Sequence, residues 1–211
     1  MRQEYNDLFY YSEKHTSIPD ELLQDLERKT HLRTLAPQMS TGRLQGRLLS
    51  LLSKLAQPMH VLEIGTFTGY GALCLAEGLA LGGKVHTIES NAEALVLARE
   101  AIKSSPLSQQ IEIHQGDALQ LLPDWDLCWD LVYLDGAKRQ YLDYYELVID
   151  QVKPGGMLLA DNVLWSGKVL QGRQTEESII LDAFNKRVLE DQRVENVLLP
   201  LRDGLMICRK I

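Results

Sequence analysis

The stretch "VLEIGTFTGYGALCLAEGL", residues 61–79, decides the fold of this 211-residue chain. An apolar run ends at Ile64, a glycine-rich turn follows, and a run of small and apolar residues continues as a helix-like segment. In an open α/β sheet, the turn between the first strand and its helix faces the ligand. Two interpretations remain open: the turn holds a cofactor, or Gly65 and Gly69 merely permit close packing of helix on strand.

Seven short apolar runs alternate with helix-like stretches from about residue 59 onward, a pattern typical of a parallel sheet covered on both faces. The runs are "MHVLEIG", "KVHTIES", "IEIHQGD", "WDLVYLD", "GMLLADN", "VENVLLPL" and "LMICRKI". The last two flank "RDG", which favours a hairpin. The sequence therefore predicts an α/β fold with a doubly wound, seven-stranded, mostly parallel sheet whose last strand is antiparallel.

The segment before the first run contains two amphipathic stretches, "PDELLQDLERKTHL" and "TGRLQGRLLSLLSKLA", which predict two helices outside the sheet. We expect a single domain over residues 1–211, with N-terminal helices in 1–57 and the sheet core in 58–211. These helices are candidates for a lid, a wall of the substrate site or a dimer surface.

The composition narrows the class of protein. The chain is 45% hydrophobic and its net charge is -7, so the overall field repels polyanions and a nucleic-acid role would require a local basic patch. Three cysteines without CxxC spacing argue against a disulfide framework and a zinc knuckle. No apolar run approaches about 18 residues. We therefore expect a cytoplasmic protein that does not enter a membrane.

The glycine turn indicates which cofactor it would hold. Gly65 and Gly69 are four apart rather than in a GxGxxG pattern, and Glu63 would repel a pyrophosphate but suit a cationic amine such as S-adenosylmethionine. Glu89 ends the second run about twenty residues later, where an acid accepts hydrogen bonds from ribose hydroxyls. Asp117 and Ala118 follow the third run at the adenine edge, and we favour a helix-capping role for this aspartate over contact with the ring.

Polar side chains end the fourth and fifth runs. Asp135 follows one, and Asp161 and Asn162 follow the other. If these strands are neighbours, their ends lie about 4.8 Å apart, and two carboxylates with an amide oxygen suit Mg²⁺, Mn²⁺ or Ca²⁺. Separately, each residue would be a turn former or helix cap. Their convergence favours a metal site with positions left open for substrate and water.

Lys138 lies three residues after Asp135. A nearby divalent cation disfavours the charged form of a lysine and makes it a candidate general base. A vicinal dihydroxy aromatic would chelate the cation through both oxygens, and Lys138 would remove the remaining proton before attack on the sulfonium methyl. Asp135 and Glu63 would orient the two partners. The alternative role for Lys138 is an ordinary solvated charge.

With these residues in place, the sequence resembles the cation-dependent S-adenosylmethionine O-methyltransferases that include caffeoyl-CoA and catechol O-methyltransferases. The resemblance runs from "PQMSTGRLQG" to the C-terminus and is densest in "LEIGTFTGYG", "YLDGAKRQYLDYYE" and "LLADNVLWSGKV". It implies a Rossmann-like methyltransferase sheet. It also implies a homodimer, for which the apolar positions Leu22, Leu23 and Leu26 offer a surface.

The resemblance implies roles for individual residues. The metal would be held by Asp135, Asp161 and Asn162, with Lys138 as catalytic base. The cofactor would be contacted by Met39, Thr41, Glu63, Gly65, Gly71, Glu89, Ala118 and Asp135. The acceptor pocket would be walled by Trp165 and Met39. Two residues depart from the family pattern: Gly71 replaces a serine common in relatives, and Ala137 replaces a polar residue of plant members.

Three other functions compete with methylation of a hydroxylated aromatic small molecule. The chain resembles some bacterial members that methylate tRNA hydroxyuridine, and a local basic rim for tRNA is offered by Lys138, Arg139, Arg43, Arg47, Lys168 and Arg173. An idle binding module is disfavoured by the complete set of Asp135, Lys138, Asp161 and Asn162. Nicotinamide-dependent reduction is disfavoured because GxGxxG is missing.

Overall fold

The computed structural model describes residues 2–170 and 175–211. Seven strands form one sheet in the order β3-β2-β1-β4-β5-β7-β6. The strands are β1 (His60–Ile64), β2 (Lys84–Glu89), β3 (Ile111–Gln115), β4 (Trp129–Leu134), β5 (Val152–Asp161), β6 (Val194–Leu199) and β7 (Leu205–Lys210). The first five are parallel, and β7 pairs antiparallel with both β5 and β6. The predicted fold is confirmed.

Helices cover both faces of this sheet. They are α1 (Arg2–Lys14), α2 (Glu21–Arg33), α3 (Gly42–Ala56), α4 (Tyr70–Ala76), α5 (Ala92–Ser104), α6 (Ala118–Leu121), α7 (Tyr141–Val148) and α8 (Glu176–Glu190). Local signals set several starts: Asn91 accepts hydrogen bonds from the backbone of Glu93 and Ala94 at the N-terminus of α5, and Thr175 and Ser178 form a capping box on α8.

The N-terminal segment differs from the prediction in two respects. It contains three helices rather than two, because residues 2–14 also form a helix whose side chains from residue 7 onward are mostly exposed. The stripe predicted as a dimer surface instead packs on its own chain: Leu23 and Leu26 are 2% exposed and Leu22 packs against the same core. The helix α2 contacts α4 and α5, so its apolar face packs against helices that themselves cover the sheet.

The apolar core lies on both sides of the sheet. One cluster includes Leu62, Val132 and Leu158, and the other includes Val61, Leu131 and Leu159, as expected when alternate strand residues point to opposite faces. The fifth strand begins four residues earlier than its apolar run, at Val152, because "VKPG" pairs partly with Trp129. No helix within the described ranges is long and apolar enough to cross a membrane.

Candidate active site

The candidate site lies at the switch point of the sheet, between β1 and β4, where the chain winds away in two directions. A cavity of about 550 Å³ opens along the carboxyl ends of the strands. Most of the predicted site residues line it. They are Met39, Gly65, Glu89, Ala118, Asp135, Lys138, Asp161, Asn162 and Trp165. The topology therefore brings together side chains from loops that are far apart in sequence.

Asp135 and Asp161 converge in this cavity. Asp161 ends β5 and is 3% exposed, and Asp135 directly follows β4, whose Leu134 pairs with Ala160. The Tyr133 hydroxyl lies 3.5 Å from Asp135 Oδ2 and 3.4 Å from Asp161 Oδ2. Burial raises the pKa of Asp135 to about 6; the Lys138 ammonium opposes this shift and the Asp161 charge adds to it.

The oxygen atoms of Asp135, Asp161 and Asn162, called the donor set below, fit a hard divalent cation. Asn162 follows Asp161 with a left-handed φ of 61°, lines the same cavity and adds an amide oxygen to the two carboxylates. Two acids crowded in a buried position have raised energy unless positive charge neutralises them. Asp135, Asp161 and Asn162 therefore form the kind of oxygen site that Mg²⁺, Mn²⁺ or Ca²⁺ occupies.

Lys138 reaches into the donor set. Its Nζ donates to Asp135 Oδ1 at 2.8 Å and to the Tyr141 hydroxyl at 2.7 Å, and only 12% of its side chain is exposed. It begins a short 3-10 turn, Lys138–Gln140. Tyr141 Oη lies 2.8 Å from the backbone carbonyl of Asp161, so this tyrosine holds the lysine between the two strand ends. A solvated surface charge would not be enclosed in this way.

The glycine turn lies directly against the end of β4. Gly65 has a φ of +105°, and a Cβ there would lie 2.5 Å from the carbonyl oxygen of Asp135. The Gly65 backbone donates to Ile88 O at 2.9 Å, which ties the turn to β2 as well. Only a residue without a side chain fits between these strand ends. Gly65 also lines the cavity, and no side chain covers its backbone there.

Glu89 closes the other end of the crevice. Its Oε2 accepts a hydrogen bond from the Phe67 backbone and its Oε1 accepts one from the Asn91 backbone, each at 2.8 Å. This fixed carboxylate at the end of β2 fits the predicted ribose position. Asp117 accepts from the Leu119 backbone at 2.9 Å and caps α6, as predicted, while also lining the cavity beside Ala118.

Thr41, Glu63 and Gly71 lie beneath the cavity rather than on its wall. Glu63 is 1% exposed and accepts a hydrogen bond from Thr87 Oγ1 at 2.5 Å; burial raises its pKa well above the usual range. A Cβ on Gly71 would lie 2.3 Å from Glu63 Oε1 and 3.4 Å from Thr41 Oγ1. A side chain at position 71 would therefore collide with the buried Glu63 carboxyl group, and glycine leaves room for it.

Known proteins resemble this chain in sequence. The family model described as "O-methyltransferase" matches residues 13–211. The chain belongs to the O-methyltransferase family. Caffeoyl-CoA O-methyltransferase 2 of Petunia hybrida is 33% identical over 187 residues, which cover 82% of this chain and 77% of that protein. Catechol O-methyltransferase domain-containing protein 1 of Mus musculus is 37% identical over 173 residues, covering 79% and 66% respectively.

Solved structures resemble this O-methyltransferase over its whole length. An SAH-bound methyltransferase of Podospora anserina has a TM-score of 0.90 and 25% identity, covering 99% of this chain and 96% of its own. The O-methyltransferase TomG of Streptomyces achromogenes, solved with SAM, has a TM-score of 0.88 and 25% identity, covering 99% and 97%. The predicted family and enzyme class are confirmed.

Sequence reasoning missed several residues of the O-methyltransferase site. Tyr133 and Tyr141 contact Asp135 and Lys138 through their hydroxyl groups. Their positions directly before and after "LDGAKRQ" could have indicated that they belong to the site. Phe67 and Tyr144 line the cavity without any distinctive spacing. Arg202 comes from the turn between β6 and β7 and donates to the backbone carbonyls of Thr41 and, at 3.0 Å, Ser40. No local pattern links residues so far apart in the chain.

We expect Gly65→Ala to impair this O-methyltransferase far more than Gly82→Ala. Both glycines have left-handed φ values, +105° and +82°, but nothing lies within 4 Å of a Cβ on Gly82. Gly82→Ala should therefore cost about 1 kcal/mol in unfolding free energy from backbone strain alone. Gly65→Ala adds a collision with Asp135 and should cost about 3 kcal/mol or more. Urea denaturation of both variants measures the difference; equal losses would contradict the close approach of the two loops.

Proposed function

We propose that this O-methyltransferase transfers the methyl group of S-adenosylmethionine to a hydroxyl of a catechol-like small molecule, with a divalent cation at Asp135, Asp161 and Asn162. The observation that carries the proposal is the enclosed Lys138, whose Nζ lies 2.8 Å from Asp135 Oδ1 in the cavity that also holds the other two residues. A base beside an all-oxygen donor set suits the deprotonation of a chelating hydroxyl.

The crevice offers complementary groups for the methyl donor. Glu89 is held at the ribose position, the open backbone of Gly65 faces the cavity, and the buried Glu63 lies below the turn. When bound, S-adenosylmethionine supplies an electrophilic methyl group on a positively charged sulfur. Glu63 and Asp135 place carboxyl oxygens on this side of the turn, where they can accept hydrogen bonds from the amino group of such a cofactor. The SAH-bound and SAM-bound neighbours described above add support.

The chain's own residues account for proton removal. When bound, the divalent cation would lower the pKa of an acceptor hydroxyl and orient it. With its amine neutral, the form that a nearby divalent cation would favour, Lys138 Nζ is positioned by Asp135 and Tyr141 to take that proton. The hydroxyl oxygen then forms a bond to carbon as the carbon–sulfur bond breaks. Holding the reacting groups in line supplies much of the rate enhancement in such a site.

The acceptor side of the cavity fits a small aromatic molecule. Trp165 and Met39 stand at its wall, and the volume of about 550 Å³ is within the range of small-molecule sites. Aromatic and thioether side chains favour contact with a planar ring. Relatives named for caffeoyl-CoA and catechol point to the same class of acceptor.

tRNA hydroxyuridine is the second candidate acceptor, and the position of the cations disfavours it. Arg139 pairs with Glu177 at 2.8 Å, Arg47 pairs with Glu77, and Arg43 binds the backbone carbonyl of Ser17. Lys138 lines the cavity but pairs with Asp135, whereas these three arginines and Lys168 do not line it. Arg173 lies outside the described residues. A binding surface for an anticodon would need unpaired cations around the opening.

Radiolabelled S-adenosylmethionine with two acceptor sets tests the proposal. The enzyme is incubated with a panel of catechols, and separately with total tRNA from cells that lack it, each with Mg²⁺ and each with chelator. We expect Mg²⁺-dependent label in a catechol and none in tRNA. Label in tRNA alone would overturn the acceptor assignment, and full transfer in chelator would overturn the role of the cation.

We also propose a homodimer, supported by apolar side chains that the N-terminal helices leave exposed. Leu51 and Leu55 on α3 are 58% and 82% exposed, and Leu32 on α2 is 73% exposed. Light scattering at micromolar concentration should give twice the chain mass of 23.9 kDa. Leu55→Glu should shift it toward monomer, whereas Leu189→Glu, at a residue of α8 that is 72% exposed, should not. A monomeric mass for the unaltered protein would contradict the proposal.

The predicted cytoplasmic location stays a prediction.

A further inference from the structure

Three potential metal ligands lie together on one face of β2 and β3, away from the active site. His86 of β2 pairs in register with Glu112 of β3, and His114 lies two residues further along β3 on the same face. They form a group whose ligand atoms all lie within 4.8 Å of one another. His86 is three residues before the end of β2, about 10 Å below the cavity edge. Two strands separate β3 from β4, so the active-site carboxylates are not part of this group.

We propose that His86, Glu112 and His114 bind one divalent transition-metal ion of the Zn²⁺ class. His86 Nδ1 lies 3.3 Å from His114 Nε2 and 3.6 Å from Glu112 Oε2. A tetrahedral ion with bonds of about 2.0–2.1 Å places its ligand atoms about 3.3 Å apart. The histidine pair already has this separation. The Glu112 side chain is 44% exposed, and its Oε2 needs to move only a few tenths of an ångström to reach the same separation.

The chemistry of the group distinguishes it from the active site. Two imidazoles and one carboxylate favour Zn²⁺ and its neighbours over Mg²⁺, and the open fourth position suits water. Burial lowers the pKa of both His86 and His114, the direction that favours the neutral ring a metal ligand needs. The alternative is a hydrogen-bonded imidazole pair beside a surface acid.

Neighbouring side chains shape the site. Lys84 Nζ contacts Glu112 Oε1 at 2.6 Å, which orients the carboxylate so that Oε2 faces His86, although its charge opposes cation binding. The Trp125 ring is centred 4.5 Å from that of His114, and the Trp129 ring 5.7 Å from that of His86. Two indoles therefore lie next to the ligands. Because β3 is an edge strand, an ion here would fasten the sheet edge to β2.

The two indoles provide the assay. Trp165 is replaced by Phe so that Trp125 and Trp129 are the remaining fluorophores of the three tryptophans. Co²⁺, which quenches indole emission at short range, is titrated in excess Mg²⁺. We expect quenching that saturates at one equivalent, with visible absorption of tetrahedral Co²⁺, and reversal by Zn²⁺, which does not quench. Absence of stoichiometric quenching would overturn the proposal.

Variants in this background test the ligands. His114→Gln should weaken Co²⁺ binding on the order of 100-fold or more and Glu112→Gln about tenfold or more, because loss of a group that only orients a ligand already costs about 10–100-fold. Lys84→Met should tighten it about fivefold by removing a like charge. His31→Gln, at an exposed residue of α2, should leave the affinity unchanged, and Asp161→Asn should also retain the quenching. Unaltered affinity in both His114→Gln and Glu112→Gln, with folding verified by circular dichroism, would refute the assignment. Methyl transfer is not a readout, so failure here leaves the proposed function intact.

Discussion

Lys138→Ala is expected to lower turnover about 10²–10⁴-fold, the usual contribution of a positioned general base. The lysine is enclosed between Asp135 and Tyr141, and no other lysine or histidine of the described chain lines the cavity. Affinity for S-adenosylmethionine and Mg²⁺ should change much less, because the groups that would hold them remain. Single-turnover methyl transfer at saturating cofactor and cation measures the chemical step without the binding steps.

Two comparison variants separate base catalysis from a structural role for Lys138. Lys138→Arg keeps the positive charge but does not release a proton at accessible pH, so it should be as impaired as the alanine variant. Arg139→Ala removes the neighbouring exposed cation, paired with Glu177, and should keep normal turnover. A small primary amine added to Lys138→Ala should restore part of the rate. Near-normal turnover in Lys138→Ala would show that the bound cation alone suffices for proton loss.

Asp161→Asn is expected to lower methyl transfer on the order of 10³-fold, and chelator should do the same to the unaltered enzyme. The substitution keeps the shape of a side chain that is 3% exposed but removes one of two negative charges from the donor set. Cofactor affinity should remain close to normal, because Asp161 is not among the groups proposed for the cofactor. Mg²⁺ or Mn²⁺ should restore the chelated enzyme and leave Asp161→Asn impaired.

The cation requirement should also vary with pH. Burial raises the pKa of Asp135 to about 6 in the cation-free protein. A protonated carboxyl is a poor ligand, so affinity for Mg²⁺ should be nearly constant above this pH and fall as the pH drops through it. Calorimetric titration between pH 5 and 8 measures this. Asp182→Asn, at a carboxylate of α8 paired with Lys186, serves as a charge-matched control that should bind Mg²⁺ normally. An unchanged affinity at pH 5 would contradict the role of Asp135.

The core of the fold was predictable because its signals are local. The first five apolar runs end at or next to glycine or acidic residues, and "RDG" marks the hairpin before β7, so the strands and their direction follow from the chain itself. The N-terminal region was harder. From residue 7 onward the side chains of the first helix are mostly exposed, so no apolar period marks that part of it. The apolar stripe of Leu22, Leu23 and Leu26 does not reveal whether its own core or another chain covers it.

The donor set was predicted from the rule that parallel strands present their carboxyl ends at one edge. Asp135, Asp161 and Asn162 follow neighbouring strands, and the structure places them around one cavity. The contacts that fix them were not predictable. Tyr133, Tyr141 and Arg202 act through hydrogen bonds between distant segments, and tyrosines near strand ends are ordinary core residues in most sequences.

The sequence by itself determined the sheet, its switch point and the types of residue at each strand end, since strand period, turn chemistry and parallel winding are properties of short segments. The tertiary structure alone decided that Lys138 is enclosed rather than solvated, that Glu63 lies under the crevice against Gly71, and that His86 meets Glu112 and His114. Each of these depends on which side chains pack against one another across strands. Packing distances of a few ångströms are set by the whole core and not by any one segment.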